Sequence, residues 1–176
     1  MSAINYPLRQ IRAVVFDVDG VLSPVTVPLG PDGIPCRMAN LRDGYAMVQA
    51  VRQGLRLAVI SGGYQESLMK RLQIIGLDEK DVFLGVGDKL PVLRQWMDDN
   101  GFKRNEVAYV GDDVPDVECM QYVGLSVTPA DASPDTHQIA LHVTLAEGGR
   151  GVAREVIEEI LRDRKKWPGQ SISLGQ

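Results

Sequence analysis

The chain has 176 residues, 44% apolar and 24% charged, which suits one globular domain with a substantial core. Its net charge of −4 argues against a general nucleic-acid binder, because such proteins carry a basic patch. The two cysteines, Cys36 and Cys119, offer neither zinc-like spacing nor a disulfide framework, residues 1–10 lack an apolar core of signal-peptide length, and no window approaches about 18 uninterrupted apolar residues; the expectation is a soluble protein of the reducing cytoplasm.

Apolar runs alternate with amphipathic stretches along the chain. Residues 11–17 predict a buried strand. Residues 25–38 alternate apolar positions around "GPDG" and predict a β-hairpin or flap. Asp43 is placed to cap a helix that runs to Gln53, with Ala46, Val48, Ala50 and Val51 on its apolar side. "LRLAVIS" (55–61) reads as a second buried strand, and residues 64–75 as a helix stopped by Gly76. "DVFLGV" (81–86) is a short strand, followed by a helix over 89–100 with Gly101 as its stop. "EVAYVGDD" (106–113) is a strand running into acids, residues 114–123 a helix, "GLSVT" (124–128) a strand, 142–144 an edge strand and 151–165 a final helix. Strands alternating with helices of about 10–15 residues imply an α/β fold: a Rossmann-like, doubly wound parallel sheet with helices on both faces. The expected organisation is a single domain over residues 1–168 and a mobile tail over 169–176.

In open parallel sheets, ligands bind beyond the carboxyl ends of the strands. The strand-exit residues are therefore the informative ones. They are Asp17 and Asp19; Ser61, Gly62 and Gly63; Gly87, Asp88 and Lys89; and Gly111, Asp112 and Asp113, followed by Asp116. Burying unpaired carboxylates is costly, and two so close should repel unless a cation lies between them. Magnesium takes hard oxygen ligands and shares them with phosphate, while phosphate takes N–H groups at a helix start, a hydroxyl and a cation. The inventory matches a magnesium-dependent phosphoryl-transfer site.

Blander readings compete at each motif. An EF-hand counted from Asp17 needs glycine sixth and glutamate twelfth; Leu22 and Pro28 stand there instead. "SGG" (61–63) also suits a plain strand-to-helix turn. Lys89 also suits a surface position, though a cation at a helix start opposes the dipole and an anionic partner would remove the conflict. "GVGDKL" (85–90) lacks P-loop spacing. His137 and His142, five apart with no third ligand, read as structural or surface residues, and "RDRKKW" (162–167) as a solvated helix end.

"FDVDG", "VISGG", Lys89 and "GDDVPD", in this order over nearly the whole chain, resemble the haloacid dehalogenase superfamily of phosphatases. The chain has no insertion long enough for a cap domain. "LRDGYAMVQAVRQGLRLAVISGG", "VAYVGDDVPDVECMQYVGLSV" and "EGGRGVAREVIEEIL" are similar to its capless branch, the 3-deoxy-D-manno-octulosonate 8-phosphate (KDO 8-phosphate) phosphatases and their sialic-acid-type relatives. The resemblance implies Asp17 as nucleophile, Asp19 as general acid and base, and magnesium held by Asp17, the Asp19 carbonyl and Asp112. It implies phosphate held by Ser61, Gly62 and Lys89, with Asp113 and Asp116 in support. It also implies a homotetramer in which the hairpin packs across subunits and Arg150 reaches a neighbour's site. Gly63 and Tyr64 stand where many members carry an arginine; Arg71, Lys70 and Arg150 are the candidates to replace that charge. Rivals remain open at this point: a phosphatase for 9-phosphorylated nonulosonates or the phosphatase-like partner of a sugar nucleotidyltransferase, a regulatory protein with an inactive phosphatase fold, and a receiver-type module phosphorylated on aspartate. In the last the acceptor sits on a middle strand without a second acid two residues on.

Overall fold

The computed structural model describes residues 3–168. Six strands form one all-parallel sheet: β1 (Ala13–Phe16), β2 (Arg56–Ser61), β3 (Val82–Leu84), β4 (Val107–Val110), β5 (Leu125–Thr128) and β6 (His142–Val143). Their spatial order is β3-β2-β1-β4-β5-β6. The chain first builds outward from β1 to one edge, then returns to its other side. The strand order therefore reverses between β1 and β4, and a crevice opens there at the carboxyl ends.

Strand periodicity divides the core in two. Val14 and Phe16 face one side with α1 (Leu41–Arg52), α2 (Glu66–Ile75) and α6 (Val152–Asp163). Ala13 and Val15 face the other side with α3 (Lys89–Asp99) and α4 (Val117–Tyr122). Alternate residues of β2 and β4 follow the same rule: Leu57, Val59, Ala108 and Val110 on the first side, Ala58, Ile60, Val107 and Tyr109 on the second. A strand apolar on both faces must be covered on both, which is why the parallel sheet is a middle layer. Each fully buried Val, Leu, Ile or Phe contributes roughly 1.5–3 kcal/mol. That reserve offsets the buried charges at the strand tips.

Most expected elements are present, with differences at their edges. Helix α1 is capped by Asn40, whose side chain accepts from the N–H groups of Arg42 and Asp43. Asp43 therefore does not cap. It lies inside the first turn, buried, and accepts from the Arg154 N–H at 2.7 Å, tying α1 to α6. Asn and Asp are equivalent caps, so the sequence alone offers two starts three residues apart. Residues 25–38 form a loop, not a two-stranded hairpin. One antiparallel bridge joins Leu29 to Pro35, and the Cys36 N–H donates to Pro28 O across the "GPDG" turn. Two prolines flanking the turn, Pro28 and Pro35, lack the donors a longer ladder needs. Helix α2 starts at Glu66 rather than residue 64, and Gly76 ends it in the left-handed region at φ 108°. The helix expected over 114–123 opens as a 3-10 turn, Val114–Asp116, before α4. One helix was not foreseen: α5 (Pro134–Ile139), six residues and too short to show a period, though Ser133 followed by Pro134 is a usable start signal. Trp167 closes the far end, buried against Arg154 and Tyr45. The expected tail lies outside the described residues. No helix among the described residues is long and apolar enough to cross a membrane.

Candidate active site

Register sets the site. Phe16 pairs with Val59 on one side and Val110 on the other, so β1 and β4 end at one level while β2 runs two residues further, to Ser61. The Asp17 N–H continues the ladder to Val110 O at 3.0 Å, bringing Asp17 beside the "GDD" segment. Asp17 and Asp112 are 6% and 8% exposed. The cleft they enter measures about 550 Å3, and its lining includes Asp19, Arg37, Gly62, Lys89 and Asp116.

Lys89, the first residue of α3, reaches between two acids. Its Nζ lies 3.0 Å from Asp17 Oδ1 and 2.8 Å from Asp116 Oδ1. The unfavourable helix-start position is thus answered by two carboxylates. Burial alone would depress the ammonium, but Asp17 and Asp116 outweigh it and hold Lys89 above its ordinary range. Asp116 is fully buried and saturated. Its Oδ1 accepts from Lys89 and, at 2.7 Å, from the Tyr109 hydroxyl; its Oδ2 accepts from the N–H groups of Asp112 at 3.0 Å and Asp113 at 3.4 Å.

Carboxylate atoms of Asp17, Asp112 and Asp116 lie within 4.8 Å of one another. Burial, then the charge of Asp116, raises Asp17 to about 7, against the pull of Lys89. Burial, then Asp17 and Asp116, raises Asp112 to about 8. One lysine does not neutralise three acids, so a divalent cation suits this point. Asp116 has no free oxygen to offer it, which leaves Asp17 and Asp112 as side-chain ligands. Among the described residues, no backbone N–H is bonded to the Asp19 carbonyl, which therefore remains available as a third oxygen. The Asp112 main chain is fixed from below: its carbonyl accepts from the Ser133 N–H at 2.8 Å and the Thr136 hydroxyl at 3.1 Å. Gly20, at φ +79°, passes so close that a Cβ there would lie 2.0 Å from Asp112 Oδ2.

The remaining residues divide. Asp19 is 45% exposed at its side chain, and its Oδ2 pairs with Arg37 Nη2 at 2.8 Å. Gly62 and Gly63 line the cleft, while Ser61 is fully buried beneath them, its Oγ accepting from the Gly63 N–H at 3.3 Å. Asp113 lines the rim and caps the turn at Val114. Arg150 is not in its own chain's cleft; it pairs with Glu147 on the surface. Arg71 lies against Gly44 in an adjoining groove, and Lys70 is exposed and paired with Glu66. His137 and His142 are outside the cleft. Two participants escaped the sequence reading. Tyr109 is one buried aromatic within a strand of buried residues, with nothing to mark its hydroxyl. Arg37 is a lone arginine in the flap, and no motif surrounds it.

Fold and site together define a phosphoryl-transfer enzyme of the doubly wound α/β class. Residues 40–130 match the haloacid dehalogenase-like hydrolase family, and the chain belongs to it. Within that family it is similar to phosphomonoester hydrolases over nearly its whole length. The 3-deoxy-D-manno-octulosonate 8-phosphate phosphatase of Escherichia coli strain K12 is 36% identical over 167 residues, covering 93% of this chain and 88% of that protein. The crystal structure of the same enzyme type from Yersinia pestis has a TM-score of 0.86 at 34% identity, covering 92% of this chain and 86% of that one. The Moraxella catarrhalis phosphatase, in complex with magnesium, phosphate and KDO, has a TM-score of 0.82 at 27% identity, with 88% of each chain covered. The chain is a phosphomonoester hydrolase without a cap domain.

Proposed function

We propose that this enzyme hydrolyses a phosphorylated 2-keto-3-deoxy sugar acid, KDO 8-phosphate, to KDO and phosphate, with magnesium and through an aspartyl-phosphate. The observation that carries the reading is the gathering of Asp17, Asp112 and Lys89 in one cleft of a chain so similar, end to end, to KDO 8-phosphate phosphatases. Asp17, Asp112 and the Asp19 carbonyl would hold the magnesium ion, which supplies charge neutralisation between two anions when bound.

The chain's own residues do the rest. Asp17 attacks phosphorus in line: an O–P bond forms as the P–O bond to the sugar breaks, and Asp19 gives the leaving oxygen its proton. Water then attacks the aspartyl-phosphate, Asp19 takes the proton, and Asp17 returns as a carboxylate. Only Oδ2 of Asp19 is engaged by Arg37, which leaves Oδ1 to carry the proton. Each such transfer typically contributes about 10²–10⁴-fold. Lys89, the Gly62 N–H and Ser61 hold the phosphoryl oxygens; the Ser61 oxygen accepts from the Gly63 N–H and keeps its own hydrogen to donate. Asp116 positions Lys89, and Asp113 shapes the rim.

The assembly belongs to the same proposal. Val25, Leu29, Ile34 and Met38 of the flap are exposed, an apolar face that suits packing across subunits of a homotetramer. The outward-facing Arg150 suits delivery to a neighbour's cleft. Free thiols at Cys36 and Cys119 fit a cytoplasmic setting. Phosphate release over a panel of sugar-acid phosphates, with and without magnesium, tests the substrate and the metal. Preference for sialic-acid-type 9-phosphates would replace the substrate assignment. Asp17→Asn should be inactive while folded; substantial turnover by it would falsify the nucleophile.

A further inference from the structure

A guanidinium carries five N–H donors and keeps its charge in proteins. At Arg37 only Nη2 is engaged, by Asp19. The side chain is 8% exposed, and Nε and Nη1 are buried without any partner. Native structures rarely bury donors unpaired, so such a group points to a missing acceptor. The neighbouring backbone accommodates it closely: a Cβ at Gly63 would lie 1.8 Å from Arg37 Nη2. Glycine at the β2 exit thus leaves the space the guanidinium fills.

Position identifies the acceptor. Arg37 lines the cleft and also the adjoining apolar groove with Met38, Leu68 and Leu72. Lys89 already serves the Asp17 side of the cleft. In the proposed chemistry Asp19 meets the leaving oxygen, which puts its partner Arg37 on the sugar side of the cleft. The only other anionic group of a phosphorylated sugar acid is its carboxylate. We infer that Arg37 is the specificity-determining residue that binds this carboxylate, through the guanidinium hydrogens that Asp19 leaves without an acceptor, while it keeps its contact with Asp19. Two parallel N–H bonds to one carboxylate are the geometry a guanidinium fork supplies best. The inference rests on the substrate reading above.

The test compares kcat/KM for KDO 8-phosphate with that for p-nitrophenyl phosphate, which lacks a carboxylate, in the full chain with magnesium. Wild type should prefer the sugar acid. Arg37→Gln should lower the ratio of the two values roughly 10- to 100-fold, mainly through KM. Loss common to both substrates reports the Asp19 contact and cancels in the ratio. Inhibition by free KDO should weaken by a similar factor, and inhibition by inorganic phosphate should not. Should Arg37→Gln not fold, Gly63→Ala, which crowds the guanidinium, should lower the ratio as well. A wild-type preference that survives in the variants overturns the inference and leaves the substrate reading standing. Weakened inhibition by phosphate, with KDO unchanged, also overturns it and assigns Arg37 to the phosphoryl group. A wild type without preference for the sugar acid overturns both.

Discussion

Asp116 offers the sharpest test of how the cleft is built, because it touches no substrate in the proposed chemistry yet accepts four hydrogen bonds while fully buried. Asp116→Asn keeps the shape and removes the charge. If the new amide nitrogen faces Lys89 and Tyr109, two donors meet a donor. If it faces the N–H groups of Asp112 and Asp113, the same conflict falls on the metal-side loop. In the first orientation the Tyr109 hydroxyl can turn to accept, so the conflict falls on Lys89; in the second it falls on the Asp112 N–H and the part-buried Asp113 N–H, and each unmatched donor costs roughly 1–3 kcal/mol. Lys89 also loses one of its two counter-charges, and breaking a buried pair from one side costs about 3–5 kcal/mol. The two effects overlap, so the expected destabilisation is about 3–5 kcal/mol in total. Urea unfolding with linear extrapolation measures it. Activity should fall as well, through Lys89 and not through substrate affinity alone: kcat drops at least about tenfold. Tyr109→Phe removes a single neutral donor and should cost only about 1 kcal/mol. An Asp116→Asn enzyme with wild-type stability and kcat would refute the view that this acid anchors the lysine.

Three further outcomes follow from the same geometry. Gly20→Ala places a methyl 2.0 Å from Asp112 Oδ2 at φ +79°, so the magnesium concentration for half-maximal activity should rise about tenfold or more; an unchanged activation curve would contradict the packing. In metal-free enzyme Asp17 and Asp112 stand at about 7 and about 8, above the ordinary carboxylate value of 3.8, so the folded state holds protons that the unfolded chain has released. Its stability therefore falls as pH rises from about 4 to about 8 and levels off above that, and saturating magnesium should flatten that fall in thermal melts; parallel curves with and without metal would count against a shared cation. Asp43, raised to about 6 by burial and away from the cleft, adds a slope between about pH 4 and 6, worth roughly 2–3 kcal/mol, that magnesium leaves alone. Asp43→Asn should abolish that slope in denaturant titrations.

The order of strand and helix was legible because periodicity reports burial. Val14 to Phe16 and Val107 to Val110 are apolar on both faces, and only a covered parallel sheet tolerates that. The strand-tip acids were legible for the same reason, since a carboxylate right after such a run needs either a cation or open solvent, and the four strand-exit groups end at one sheet edge. Edges and short pieces were less so. Asn40 and Asp43 are equal as caps by residue type; in the structure Asn40 takes the Arg42 and Asp43 N–H groups, and Asp43 instead accepts from the Arg154 N–H, 111 residues away. The flap looked like a hairpin because its apolar residues alternate, but Pro28 and Pro35 withhold the donors a ladder requires. Arg37 was invisible because its meaning lies in a contact with Asp19 and Gly63, both distant in sequence and neither signalled by the residues beside it.

That contact changes how the acids are understood. Five carboxylates line the cleft, but they are not one cluster. Asp116 is saturated by donors and serves as an anchor. Asp17 and Asp112 face each other at raised proton affinity, the signature of a missing positive charge. Asp19 faces outward with an arginine, and Asp113 holds a turn. With all five ionised, Lys89 and Arg37 leave three negative charges in excess, so the cleft's own residues repel a phosphorylated sugar acid. A dication at Asp17 and Asp112 would reverse that at the phosphoryl end, and Arg37 would do so at the proposed carboxylate end. On the proposed reading, phosphate and carboxylate would then be received by separate positive centres on either side of Asp19, the acid proposed to give the leaving oxygen its proton. On this arrangement a substrate lacking either anion would lose one of its two anchors, and the spacing between them would contribute to the discrimination.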